Sequence, residues 1–169
     1  LGSIRYCKAE LYRSCIIGTM RVPRKEAQRA PELCFGFCLT ADTLYIIEDS
    51  GEYKTLMSRL VKHSSGIERP SQLLLRLLEL LTENDVPYMM HIEAELERME
   101  DELDGKTPDD FFRRLTRQRQ KLSELGAYYG QLSDIGERLS DEMCAPIVRD
   151  CTAWEKLTRR AERLQDHAE

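Results

Sequence analysis

From Phe111 to Leu139, nine positions follow one another in alternating steps of four and three: Phe111, Leu115, Gln118, Leu122, Leu125, Tyr129, Leu132, Gly136 and Leu139. Seven of the nine carry largely apolar side chains. Such steps return to one side of an α-helix every two turns, as in a coiled-coil seam. The spacing therefore predicts one long helix whose stripe needs a partner. A chain with 33% charged and 7% aromatic residues also suits long solvated helices better than an aromatic-rich sandwich or barrel.

The segment just before supplies a partner. Tyr88, Ile92, Leu96, Met99 and Leu103 form a second stripe at helical spacing. Gly105 offers a stop, Thr107 an N-cap, Pro108 a first-turn residue, and Asp109 and Asp110 acids for the positive helix end. These signals predict a tight helical hairpin. Acids Glu93, Glu95, Glu97, Glu100, Asp101, Glu102 and Asp104 precede its turn, and Arg113, Arg114, Arg117, Arg119 and Lys121 follow it. Antiparallel pairing would bring the opposite charges together.

Upstream the period is two rather than 3.6. Cys15–Val22 and Leu33–Leu39 read as strands bounded by Pro23 and Pro31. Thr40-Ala41-Asp42 turns the chain into Thr43–Ile47, so the second and third runs form an antiparallel hairpin, with Cys34 and Cys38 on one face. After Asp49-Ser50-Gly51, Leu56, Leu60 and Val61 are spaced for one helix face. Arg69-Pro70-Ser71 opens a helix with Leu74, Leu78 and Leu81 on one face, and a kink or fresh start is expected at Pro87. A last helix, beginning near Pro146, places Ile147, Cys151, Trp154, Ala161 and Leu164 close to one side and ends without a stop signal, as a truncated helix would. The expected fold is α+β and mostly helical. A small N-terminal antiparallel β-region (residues 1–51) precedes a helical region (52–169) that holds a hairpin over 71–141 and a terminal helix over 146–169.

Several functions are disfavoured. A net charge of −5 is the wrong sign for general nucleic-acid binding, which rests on clustered Lys and Arg. No stretch approaches the roughly 20 apolar residues of a membrane span, since the best run, Leu73–Leu81, contains Arg76 and Glu79. The N-terminus lacks the basic segment and apolar run of a secretory signal. Cys7, Cys15, Cys34, Cys38, Cys144 and Cys151 form no CxxC pair and read as reduced, mostly buried thiols, with Cys144 and Cys151 one heptad apart for packing. His63, His91 and His167 are too scattered for a zinc site and read as surface residues. The acidic run Glu93–Asp104 could collect Mg²⁺ or Ca²⁺, yet its better reading is a solvated face paired with the basic arm. No nucleophile–base pair, phosphate loop or paired-carboxylate cleft is recognisable, so no enzyme is expected.

The order of these segments resembles the cytoplasmic domain of CorA-type magnesium and cobalt transporters. The segments that carry the likeness are Cys34-Phe35-Gly36-Phe37-Cys38-Leu39-Thr40-Ala41-Asp42-Thr43-Leu44-Tyr45-Ile46-Ile47, then Ser71–Leu81, Ile92–Leu103 and Pro146-Ile147-Val148-Arg149-Asp150. The resemblance implies a homopentamer in the full-length, membrane-embedded protein, with this domain at the cytoplasmic face of the cell membrane. It also implies a stalk-like last helix leading to the pore, and regulatory Mg²⁺ or another divalent cation held between neighbouring subunits. Asp150, in the Arg149-Asp150 pair, matches the place of a regulatory metal carboxylate on the family's stalk. The two membrane helices, the Gly-Met-Asn pore signature and the first part of the N-terminal α/β domain are missing from this sequence. It therefore would not conduct ions alone, and would meet the membrane only through helices it lacks. The implied role is a gating domain; the alternative is a coiled-coil scaffold that binds partner helices through its seam.

Overall fold

A computed structural model of the chain describes residues 4–25, 32–48, 53–62, 65–103 and 110–169, with the side chain of Tyr53 excepted. Four strands, β1 (Lys8–Tyr12), β2 (Cys15–Val22), β3 (Leu33–Leu39) and β4 (Leu44–Ile47), form an antiparallel meander in sequence order. The register sets Ile17 opposite Cys38 and Met20 opposite Phe35. One face therefore carries Ile16, Met20, Phe35, Phe37 and Leu39, all buried. The other shows Tyr6, Tyr12, Ile17, Tyr45 and Ile47, all exposed, with half-buried Cys34 and Cys38 among them, as the alternation predicts. Gly18 has a steric reason: it lies opposite Phe37, and a Cβ there would overlap that ring. Strand β1 is not legible in the sequence, because only Ala9 and Leu11 of KAELY pack against the core and Lys8, Ala9 and Glu10 are residue types that strands tend to avoid.

Helices α1 (Tyr53–Lys62) and α2 (Pro70–Leu81) follow. Leu56 and Leu60 are buried, but Val61 is 66% exposed, so the expected apolar face of α1 ends at Leu60. In α2 the residues Leu74, Leu77, Leu78, Leu80 and Leu81 are all buried. Helix α3 (Asp85–Glu102) is a fresh start: Pro87 occupies its first turn, where a missing N–H leaves no helical bond unmade. The predicted turn and cap at Gly105, Thr107 and Pro108, like the break at 49–51 and His63, lie outside the described residues.

Helix α4 (Phe111–Ser140) spans about 45 Å at 1.5 Å per residue, and all nine seam positions are buried or half-buried. It runs antiparallel to α3, as the pairs Asp85–Tyr129, Glu95–Gln118 and Glu102–Arg114 require. Its main partner, however, is the last helix, which packs antiparallel with Thr158, Gln165 and Ala168 against Gly136, Gly130 and Gly126. A Cβ on Gly136 would overlap Thr158 Oγ1 and come within 3.1 Å of its backbone nitrogen, so this glycine permits the close approach. Charge contributes little to the α3–α4 pairing. Arg114–Glu102 is the one ion pair between them among the described residues, and Arg113, Arg117 and Arg119 remain exposed.

The predicted helix over 146–169 is two helices. After a 3₁₀ turn at Glu142–Cys144, α5 (Ala145–Val148) ends at Arg149, whose left-handed backbone (φ 61°) closes the turn by donating its N–H to Ala145 O at 3.0 Å. Asp150 then caps α6 (Cys151–Ala168). The carbonyl of Val148 accepts from the buried Ser71 hydroxyl of α2 at 3.0 Å, so a tertiary bond stands in where a helical one is lost. Cys144 and Cys151 accordingly fall on different elements rather than one helix face. Trp154, Leu157, Ala161 and Leu164 of α6 are buried.

Candidate functional site

Two carboxylates at helix starts have contrasting surroundings. Asp150 is exposed, and its Oδ1 accepts a hydrogen bond from Ala153 N at 3.2 Å. It is therefore an N-cap, which satisfies an end N–H of α6 and places a negative charge at the positive helix end. A cap of this kind keeps the second oxygen available to solvent or a cation. Among the described residues no group of three or more His, Cys, Asp or Glu gathers to hold a metal. A divalent ion at Asp150 would thus depend on waters and on ligands from a neighbouring molecule, an arrangement that suits Mg²⁺, which parts with its waters reluctantly.

Asp85 is fully buried at the first position of α3. One oxygen is bonded to Lys25 Nζ, and the other accepts from Tyr129 Oη at 2.9 Å. Lys25 Nζ also donates to Leu81 O at 2.6 Å, and Arg160 of α6 donates to Thr82 O at 2.9 Å. Two cations therefore meet the carbonyls at the C-terminal end of α2, where the helix dipole favours positive charge. Burial, and then Asp85, push the Tyr129 phenol far above its usual range, which favours the protonated form that donates to Asp85. The cluster joins the segment after β2, the α2–α3 corner, α4 and α6 into one network. It was not foreseen, because Lys25 lies in a polar connection, Asp85 among turn-like residues and Tyr129 in the seam.

The acidic run is split between roles. Glu95 accepts from Gln118, Glu102 pairs with Arg114, and Glu93 faces His167 of α6 at 2.6 Å. His91 is exposed. Of the six cysteines, Cys7 and Cys144 are buried and the other four half-buried. No helix among the described residues is long and apolar enough to cross a membrane.

This succession of antiparallel sheet, short helices, helical hairpin and terminal helix matches, over residues 6–169, the family model described as CorA-like Mg2+ transporter protein. The chain belongs to this CorA-like family. No curated protein matches it. The CorA-like chain shares its fold with the full-length CmaX protein (16% identity, TM-score 0.77, 98% of this chain and 53% of that one). It is similarly related to the complete CorA magnesium transporter of Methanocaldococcus jannaschii (17% identity, TM-score 0.77, 96% and 53%). The ZntB cytoplasmic domain of Vibrio parahaemolyticus also matches (11% identity, TM-score 0.73, 98% and 67%). At these identities the likeness is one of fold, and the chain spans about half the length of the full-length structures it matches.

Proposed function

We propose that the chain is the cytoplasmic gating domain of a CorA-like divalent cation channel, and that it performs no catalysis of its own. The whole protein is a membrane-embedded homopentamer, with this domain at the cytoplasmic face of the membrane. Its α6 belongs to the stalk that leads toward the membrane helices, and Asp150 takes part in holding hydrated Mg²⁺ between neighbouring subunits. Loss of the ion leaves like-charged surfaces to separate and the stalks to move. The observation that carries the reading is the unbroken family match from residue 6 to residue 169, which takes in the sheet, the helical body and the last helix together. The internal bonds of α6 add support. Arg160 ties it to the α2–α3 corner, and Gly136 lets it lie close against α4, so displacing the stalk would displace the body with it.

The test is the mass in solution by light scattering, with Mg²⁺ and then with excess chelator, on the natural chain and on Asp150→Asn. Asparagine caps a helix as well as aspartate does, so the substitution removes the charge without fraying α6. Association that requires Mg²⁺ and weakens in Asp150→Asn is expected. A mass indifferent to Mg²⁺, chelator and substitution would remove Asp150 from the mechanism and favour the scaffold reading.

A further inference from the structure

The outer face of the sheet brings two cysteines together. Ile17 of β2 lies opposite Cys38 of β3. Cys15, two residues before Ile17, points to the same side, because side chains alternate along a strand. Cys15 and Cys38 are thus diagonal neighbours on adjacent strands. The turn from β3 to β4 decides how close that diagonal is. Thr40 donates its N–H to Thr43 O at 2.9 Å, so Thr40, and Cys38 two residues before it, aim their backbone groups at β4. Toward β2, Cys38 therefore occupies a non-hydrogen-bonded site, where facing side chains lie closest and diagonal ones come within reach.

The chemistry of the pair agrees with its placement. The Cys38 thiol is pushed above its ordinary range, by burial first and then by the Cys15 thiol beside it, through charge and through a hydrogen bond. Both cysteines are half-buried, with exposed Tyr12 opposite Cys15 and exposed Tyr45 opposite Cys38. Small reagents therefore reach them, whereas Cys7 and Cys144 are buried. We propose that Cys15 and Cys38 are a site of reversible oxidation, a cross-strand dithiol that a small-molecule disulfide converts into a disulfide bond. One protein thiolate attacks the small disulfide, forms a mixed disulfide and expels one thiolate of the reagent. The other protein thiolate then attacks the protein sulfur of that mixed disulfide and expels the second. Two protons pass from the cysteines to the expelled thiolates, and two electrons pass from the protein to the reagent. The new bond fastens β2 to β3 across the connection that carries Lys25 to Asp85.

The full chain is equilibrated with oxidised glutathione against a fixed concentration of the reduced form, quenched with N-ethylmaleimide, digested and read by mass spectrometry. The expected product is a pair of peptides joined through Cys15 and Cys38, which excess reduced glutathione separates again. Half conversion should need about tenfold less oxidised glutathione in the folded chain than in urea, because the fold holds the two thiols side by side. Cys34→Ser should leave the product unchanged. Cys38→Ser should abolish it and leave Cys15 as a glutathione adduct; should that variant fail to fold, the comparison of the natural chain with and without urea still decides. The proposal is overturned if Cys15 and Cys38 carry only glutathione adducts, if other cysteine pairs form as readily, or if the folded chain and the chain in urea need the same amount of oxidised glutathione.

Discussion

The two halves of α4 carry the same heptad stripe and have different surroundings. From Phe111 to Leu122 the helix bonds to α3 through Arg114 and Gln118, and Leu115 and Leu122 of its stripe are only half-buried. From Leu125 to Leu139 strand β1 and α6 pack against it, and burial widens beyond the stripe to Tyr128, Ser133 and Ile135. A regular apolar spacing thus fixes which side of a helix turns inward, whereas the number of layers that meet there fixes how much that side stabilises. The arm formed by α3 and the first half of α4 should open at lower free energy than the body, and amide exchange along α4 should show the step near Leu125.

The largest effect is expected where the body holds a charge. Asp85→Ala leaves Lys25 and Tyr129 without their shared acceptor and should cost about 4 kcal/mol in chemical denaturation, since breaking a buried pair strands its partner. A cost near zero would mean that water takes the carboxylate's place. Next, Leu132→Ala in the body should cost about 3 kcal/mol through lost transfer energy and a cavity, and Leu115→Ala in the arm well under half of that. Equal losses would break the distinction between the two halves.

A further effect depends on pH. Burial pushes the Cys7 thiol from 9.0 up to about 11. The folded state therefore holds its proton more tightly than the unfolded chain does. That contribution is complete below pH 9 and is lost as pH rises from 9 through 11, by about 3 kcal/mol from this one group. Denaturation midpoints measured across that range should fall less steeply in Cys7→Ala; an unchanged slope would assign the alkaline loss to other groups, the buried tyrosines first. The smallest effect concerns the arm's surface. Arg114→Gln removes the ion pair with Glu102 in solvent and should leave the melting temperature unchanged, as exposed pairs contribute little.

Sequence legibility follows the same division. The stripe of α4, the leucine face of α2 and strands β2, β3 and β4 could be read, because each depends on a period that local backbone geometry imposes. The fresh start near Pro87 could be read as well, since proline restricts its own turn. Strand β1 could not, because its pairing with β2 supplies what KAELY lacks in propensity. Val61 marks another limit: a residue adjacent to Leu60 fits a short pattern, and only the packed neighbours decide that it faces solvent.

The candidate site divides similarly. Asp150 was picked out through its place in an ordered set of segments, while its role as a cap depends on the break at Arg149. No local signal marked that break. A left-handed residue other than glycine costs energy locally, and it persists here beside the tertiary bond from Ser71 to Val148. The Asp85 cluster was invisible for a stronger reason: Lys25, Asp85, Tyr129 and Arg160 meet from four separate parts of the chain. Strand β1, Val61 and the break at Arg149 apart, the sequence by itself determined which segments are helices and strands and which sides of them are apolar, since both follow from spacing along one backbone. The tertiary structure alone decided that α4 pairs chiefly with α6, that the last helix is broken, and that a buried carboxylate finds its partners, because those outcomes depend on which surfaces fit closely enough to exclude water.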